Sequence, residues 1–153
     1  MVISFTGAQS TGKSTLFEQC KFEGNFSGFD FEPEITRLVK KTYGLAINEA
    51  GDDLTQLAIL NRHLHNYLTH KDRNVLLDRC ILDGLVYTSY MFLTGKISEE
   101  VSEYATFLFQ KLIDKIDIIF YTEPEIPLVD DGERSVNVEF RDKIVQLFEE
   151  AID

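Results

Sequence analysis

Near the start of the chain, Gly7-Ala8-Gln9-Ser10-Thr11-Gly12-Lys13-Ser14 fits the pattern G-x-x-x-x-G-K-[S/T]. Each fixed position has a chemical reason. Gly7 and Gly12 permit backbone angles that turn successive N–H groups inward as an anion nest, and a helix starting beside them adds partial positive charge. Lys13 can reach the β- and γ-phosphates of a nucleotide, and the Ser14 hydroxyl is a hard oxygen ligand for Mg²⁺. The bland alternative is a glycine turn between a strand and a helix with no ligand. Chance produces the full pattern in under roughly one chain of this length per hundred, before flanking elements are required.

A second candidate group is Asn74-Val75-Leu76-Leu77-Asp78-Arg79. A carboxylate at the end of an apolar strand, close to a phosphate loop, can hold Mg²⁺ or take a proton from an acceptor hydroxyl. The structural alternatives for Asp78 are a helix N-cap or an ion pair with Arg79. A third group is Leu128-Val129-Asp130-Asp131-Gly132-Glu133-Arg134-Ser135. A loop of this kind carrying an arginine can cover the charge that builds on a migrating phosphoryl group and exclude water. Arg134 is the first candidate and Arg141 the second, with Asp130 and Asp131 placed to orient them or to face metal. An acidic surface turn is the alternative.

These groups need elements to position them. Three short apolar runs, Val2–Thr6, residues 75–77 leading into Asp78, and Ile118–Tyr121, lack polar alternation and read as buried parallel strands. Residues 29–31 make a weaker fourth. Helical spacing appears in Leu57, Leu60, Leu64 and Leu68, then in Val101, Tyr104, Ala105, Leu108 and Leu112, then in Phe140, Ile144, Leu147, Phe148 and Ala151. Ser98 and Asn137 stand where N-caps belong for the last two. Residues 85–93 are apolar nearly all round and predict a deeply packed helix, and Leu16, Phe17 and Cys20 predict an amphipathic helix after the loop. Strands alternating with helices predict an α/β fold with a parallel sheet and helices on both faces. With the loop at 7–14 ending the first strand, it resembles a P-loop NTPase three-layer sandwich, which implies a lid after the last clear strand. Ligands bind such sheets at the carboxyl ends of the strands, where 7–14 and Asp78 both fall.

With 153 residues, 44% of them apolar, the chain matches one domain spanning 1–153. A formal charge of -11 argues against wrapping nucleic acid, which needs a basic face. No apolar run approaches the ~18 residues of a membrane span and no signal peptide is evident, so the expectation is a cytoplasmic protein without membrane or nucleic-acid partners. Cys20 and Cys80 have no disulfide or zinc spacing and read as buried thiols.

Together the three groups resemble the P-loop small-molecule kinases, and within them the NadR-type branch, an AAA-family ATPase domain whose namesake is the ribosylnicotinamide kinase. The resemblance runs through residues 7–15, 34–37 (EITR), the leucine-rich helix around Gln56, Asp78 and residues 129–135 (VDDGERS), the last being the most discriminating. It implies ATP and Mg²⁺ as cofactors. Gly7, Gln9, Ser10, Thr11, Gly12, Lys13, Ser14 and Thr15 would bind the ATP phosphates, with Arg134 and Arg141 closing over them. Lys13, Asp78 and Arg134 would be catalytic, and Ser14 and Asp78 would hold the metal. Glu34, Arg37, Gln56, Asp78 and Arg79 would face the acceptor. For Glu34 and Arg37 a plain surface i,i+3 pair is an equal alternative.

Two features depart from that branch. Asp78-Arg79 is closer to the step found in deoxynucleoside and thymidylate kinases, which leaves the acceptor open among a nucleoside, a nucleoside monophosphate and a ribosylnicotinamide-like compound. Relatives also continue into a further strand and helix, so a compact or shortened version is expected. A nucleotide-dependent switch or regulatory ATPase is the alternative function, and a degenerate nucleotide-binding domain the third. Tyr43, Tyr67, Tyr87, Tyr90 and Phe92 could sandwich a ring, though core packing is their commoner use.

Overall fold

Four parallel strands form one sheet, in which residues 2–6 and 75–78 are the runs buried as expected, whereas residues 118–121 and 30–32 form its two edges. Ile118 and Phe120 are exposed rather than buried, because no strand pairs beyond them among the described residues, and Asp30 and Glu32 flank a single aromatic residue. The computed structural model describes residues 1–128 and 137–153. Strand β1 (Val2–Thr6) lies between β3 (Val75–Asp78) and β4 (Ile118–Tyr121), and β2 (Asp30–Glu32) pairs on the far side of β3, giving the order β2-β3-β1-β4. Phe5 is in register with Asp78 on one side and Phe120 on the other. The loop after β1 and the end of β3 therefore emerge side by side. The weak strand expected at 29–31 is real, displaced by one residue and parallel to β3.

Side-chain alternation divides the faces. Ile3, Phe5 and Leu76 meet Phe17 of α1 (Lys13–Cys20), with Phe31 edge-on to Phe17 at 5.8 Å. Val75 and Leu77 point the other way, onto Leu82 and Val86 of α4 (Ile81–Leu93) and Phe140, Ile144 and Phe148 of α6 (Val138–Ile152). Beyond α4 lie α3 (Asp53–His70) and α5 (Glu99–Leu112), joined through Leu60, Ile81, Met91, Val101 and Leu108, while α2 (Ile35–Tyr43) packs on α3 through Ile35, Val39 and Ile59. Helices on both faces of a parallel sheet are the architecture expected. Among the described residues no helix is long and apolar enough to cross a membrane.

Several finer expectations are corrected. Helix α3 buries its leucine stripe only in part: Leu60 is fully buried and Leu57 and Leu64 pack half-buried beside it, but Leu68 is exposed, and Thr55, Gln56, His63, Asn66 and His70 are buried as well. Polar residues face inward there because that side of α3 borders a pocket as well as core. In α1 the apolar side chain that is fully buried is Phe17; Leu16 is exposed and Cys20 half-buried, so Cys80 alone is the buried thiol, its pKa pushed up to about 12 chiefly by burial. Helix α4 is deeply packed through Met91, but Phe92 and Leu93 are exposed. Asn137 caps α6, accepting from Phe140 N–H at 3.1 Å, whereas Ser98 makes no side-chain cap and instead gives its N–H to Asp53 at 2.8 Å.

Candidate active site

The turn from β1 into α1 has the backbone its glycines allow. Gly7 has φ +135°, and a Cβ there would lie 2.7 Å from the Thr122 carbonyl oxygen, so no larger residue fits without moving the start of the loop after β4. Gly12 (φ +85°) is the N-cap residue of α1. Lys13 is buried and folds back on the loop, donating to the Ala8 carbonyl oxygen and to Thr11 Oγ1 at 2.9 Å. Thr11 Oγ1 and Thr122 Oγ1 share a hydrogen bond of 2.6 Å that ties the loop to the end of β4. Burial pushes the Lys13 pKa down to about 7; Arg79 adds to this, and Asp83, Asp78 and Glu34 oppose it.

At the end of β3, Ser14 Oγ donates to Asp78 Oδ2 at 2.8 Å. Asp78 is buried, and burial raises its carboxyl above the ordinary value against the opposing pull of Arg79, the Ser14 bond and Lys13. Among the described residues it pairs with neither a helix N-terminus nor Arg79, so both structural alternatives for it are set aside. Its Oδ1, the Gln9 Nε2 and the Ser10 Oγ are buried without a hydrogen-bond partner among the described residues. Three orphaned polar atoms around one loop are groups that a polar ligand can satisfy. Two hard oxygens side by side, one on Ser14 and one on Asp78, suit Mg²⁺ rather than a softer metal.

Arg79 organises the next layer. It has φ +85°, and its guanidinium donates from Nε to Glu34 at 3.1 Å and from Nη1 to Asp83 Oδ1 at 2.9 Å and the Gly7 carbonyl at 3.1 Å, lying over the Tyr87 ring. Burial works against its charge, but Tyr87, Glu34, Asp83 and Asp78 outweigh that and hold it protonated well above its ordinary range. Asp83 Oδ2 also accepts from Thr6 Oγ1 at 2.6 Å and Cys80 N–H at 3.0 Å. Glu34 further pairs with Arg37 at 3.2 Å, so the expected E-x-x-R pair exists, with Glu34 inside and Arg37 more than a third exposed.

Beyond Glu34 and Arg79 a pocket opens between α3 and α4, bordered by Gln56, Ile59 and His63 on one wall and by Asp83, Gly84 and Tyr87 on the other. Gln56, buried in α3, is thus one of the residues lining this pocket. The same Glu34 and Arg79 also border the cleft along Ser10 to Ser14, so phosphate loop and pocket are continuous. Of the five aromatic residues singled out, Tyr87 reaches the pocket, with its OH donating to Gln9 Oε1 at 3.2 Å, while Tyr43 is 66% exposed. Thr15 is exposed on the first turn of α1. Arg141 bonds to the Ile126 carbonyl at 2.8 Å, which seats Ile126 near Gly12 rather than putting the guanidinium on the loop. Arg134, Asp130 and Asp131 lie outside the described residues. Sequence reasoning missed Asp83, Gly84 and His63; Asp83 alone had a signal, its i,i+4 spacing from Arg79.

Known proteins share this arrangement of strands and helices. A solved structure of NadR protein in complex with NR matches with a TM-score of 0.75 and 21% identity over 99% of this chain and 42% of that chain. A second, of NadR protein with NAD and AMP-PNP, gives 0.69 and 18%, covering 99% and 40%. Deoxyadenosine kinase from M. mycoides with products dCMP and dCDP gives 0.67 and 14%, covering 99% and 82%. This chain spans about two fifths of the length of the NadR chains, and at these identities the likeness is one of fold. No curated protein matches. A family model described as AAA domain matches residues 2–153. Running from the first strand through the last helix, that match establishes that the chain belongs to the AAA domain family.

Proposed function

We propose that this chain is a single-domain ATP-dependent phosphotransferase that moves the γ-phosphoryl group of ATP to the hydroxyl of a nucleoside-type small molecule. The observation that carries the reading is the Ser14–Asp78 pair, 2.8 Å apart where α1 leaves the loop and β3 ends, beside Arg79, which borders both the cleft along the loop and the pocket between α3 and α4. A nucleotide switch needs the loop; it does not need a second pocket that shares Glu34 and Arg79 with it. The NadR and deoxyadenosine kinase structures, described with NR, NAD or nucleotides bound, support the same reading.

In this reading the loop residues 7–15 hold the triphosphate and Lys13 neutralises its β- and γ-oxygens. Ser14 and Asp78 would hold Mg²⁺, which supplies charge neutralisation to the phosphates. The unpartnered Asp78 Oδ1 accepts the hydrogen bond of the acceptor hydroxyl, and burial, by raising its proton affinity, suits it to draw off that proton. The acceptor oxygen then forms the new bond to phosphorus as the bond to the β-phosphate oxygen breaks and ADP leaves. Arg134, and Arg141 behind Ile126, would complete the cover over the phosphates.

Charge favours a hydroxyl over a phosphate acceptor. Arg79 is held by two carboxylates and Arg37 by Glu34. A nucleoside monophosphate entering the pocket would have to displace these pairs while approaching Glu34, Asp78 and Asp83, three carboxylates. A neutral or cationic nucleoside meets no such opposition.

The test is an ATP-turnover screen of nucleosides, their monophosphates and nicotinamide riboside, with Lys13→Ala as control. A phosphorylated nucleoside is expected, with turnover lost by more than about a hundredfold in the variant. ATP binding with no acceptor raising turnover above the buffer rate would refute the transferase reading, and full transfer by Lys13→Ala would refute the site.

A further inference from the structure

Helix α3 carries two buried histidines seven residues apart, hence on one face, and their surroundings differ in kind. Both are 6% exposed. His70 is satisfied at both ring nitrogens, with Nδ1 3.0 Å from Asp30 Oδ2 and Nε2 2.7 Å from Glu32 Oε1. That is how a histidine is accommodated in a folded interior. His63 has no hydrogen-bond partner at either nitrogen among the described residues.

Its place explains what the ring is open to. His63 borders the acceptor pocket and also a small inner cavity shared with Asn66 and His70. The Cδ2–Nε2 edge is pressed against α4: a Cβ on Gly84 would come within 3.1 Å of Cδ2 and 3.4 Å of Nε2. Gly84 follows Asp83, the carboxylate that holds Arg79, so His63 stands on the side of the pocket next to the phosphate loop. Gln56, on the same wall, lies about 10 Å further along by helix rise. Burial pushes the His63 pKa down to about 4, with Arg79 adding and Asp83 opposing. The ring therefore stays neutral near pH 7 and offers one N–H donor and one lone-pair acceptor. Neither ring nitrogen is among the fully buried unpartnered atoms, so both remain accessible to a hydrogen-bonding group placed in the neighbouring cavities.

We infer that His63 is a specificity-determining residue of the acceptor pocket, hydrogen-bonding a secondary hydroxyl of the acceptor's sugar. This rests on the nucleoside-kinase reading above. On that reading the reacting hydroxyl sits at the end of the pocket where Arg79 adjoins the phosphate loop, and the rest of the acceptor runs past Gly84 and His63 toward Gln56, which puts the sugar beside His63. A site built around a hydroxyl discriminates strongly against the analogue that lacks it, because its own polar group is then left unpaired.

The experiment compares kcat/KM for a ribonucleoside with its 2′-deoxy and 3′-deoxy analogues in the wild type, His63→Leu and His63→Gln. The wild type is expected to prefer one sugar by about tenfold or more, the leucine variant to lose most of that preference, and glutamine, which keeps a donor and an acceptor, to restore part of it. A sugar preference that survives in His63→Leu, or no preference in the wild type, overturns the inference while leaving the kinase reading intact. If His63→Leu fails to fold, as judged by its thermal transition, the wild type decides: titration with each nucleoside must shift the His63 ring NMR signals, and more for the preferred sugar. Unshifted signals overturn the inference. Failure of the underlying reading shows separately, as no transfer to any acceptor.

Discussion

Replacing Asp83 with asparagine alters one charge and one oxygen while keeping size and shape, so its cost can be worked from the bonds present. The carboxylate is 3% exposed and uses both oxygens: Oδ2 accepts from Thr6 Oγ1 and Cys80 N–H, Oδ1 from Arg79. An amide has a single acceptor oxygen. If it serves Thr6 and Cys80, the NH₂ faces the guanidinium, and Arg79 keeps Glu34 as its carboxylate partner. If it serves Arg79, the Thr6 hydroxyl at the end of β1 and the Cys80 N–H at the start of α4 face another donor. Removing one member of a buried ion pair costs about 3–5 kcal/mol, and the bonds that an asparagine oxygen preserves offset about 1 kcal/mol of that. The expected loss is roughly 2–4 kcal/mol, read from urea unfolding as a lowered midpoint at unchanged slope. Arg79 also borders both the phosphate cleft and the acceptor pocket, so acceptor kcat/KM should fall by about tenfold or more in the folded variant. A loss below about 1 kcal/mol with unaltered acceptor kinetics would refute the claim that Asp83 positions Arg79, leaving Glu34 and the Gly7 carbonyl as sufficient.

Two further outcomes follow from the phosphate loop. With the folded Lys13 titrating near 7 and its unfolded counterpart near 10.5, the unfolded chain binds more protons between these values, so this group makes the ligand-free protein more stable as pH rises from about 7 to about 10.5. A triphosphate against Nζ favours the charged form; ATP binding should take up a proton, and affinity should weaken by up to about tenfold per unit between about pH 7.5 and 9, measured by calorimetry in buffers of different ionisation enthalpy. A pH-independent Kd in that window, or an unchanged slope in Lys13→Met, contradicts this. Gly7→Ala would place a Cβ 2.7 Å from a backbone oxygen at φ +135°. It should cost roughly 2–4 kcal/mol and abolish ATP binding; a melting transition and ATP affinity like those of the wild type would show that the β1 turn can yield.

Much of the scaffold is legible in the chain because strands and helices follow from local patterning. The apolar runs at β1, β3 and β4 name the sheet, and the glycine spacing from Gly7 to Gly12 names the turn, since the backbone angles it needs exclude most other residues. The leucine spacing of α3 located that helix and the part of its buried face around Leu60, but not Gln56, His63 and Asn66, which turn inward toward cavities that no local pattern records. In α1 the pairing of neighbouring apolar positions misleads for the converse reason: Leu16 has no layer above it, and Phe17 meets the sheet.

A glycine-bounded turn after β1, and an Asp78 that ends a buried strand, are both written in the chain, because each depends on residues adjacent in sequence. What those groups face depends on contacts between distant segments. Parallel pairing of β1 with β3 carries Ser14 to 2.8 Å from Asp78 across a separation of 64 residues. The start of α2 brings Glu34 to Arg79, which with Asp83 turns a candidate anion grip into a cation held by two carboxylates, and packing α4 against α3 places an unpartnered His63 beside Gly84. Burial then sets the protonation of Lys13, Asp78 and His63, since the free energy of a charge depends on the surrounding medium, and that medium exists only once the chain has folded.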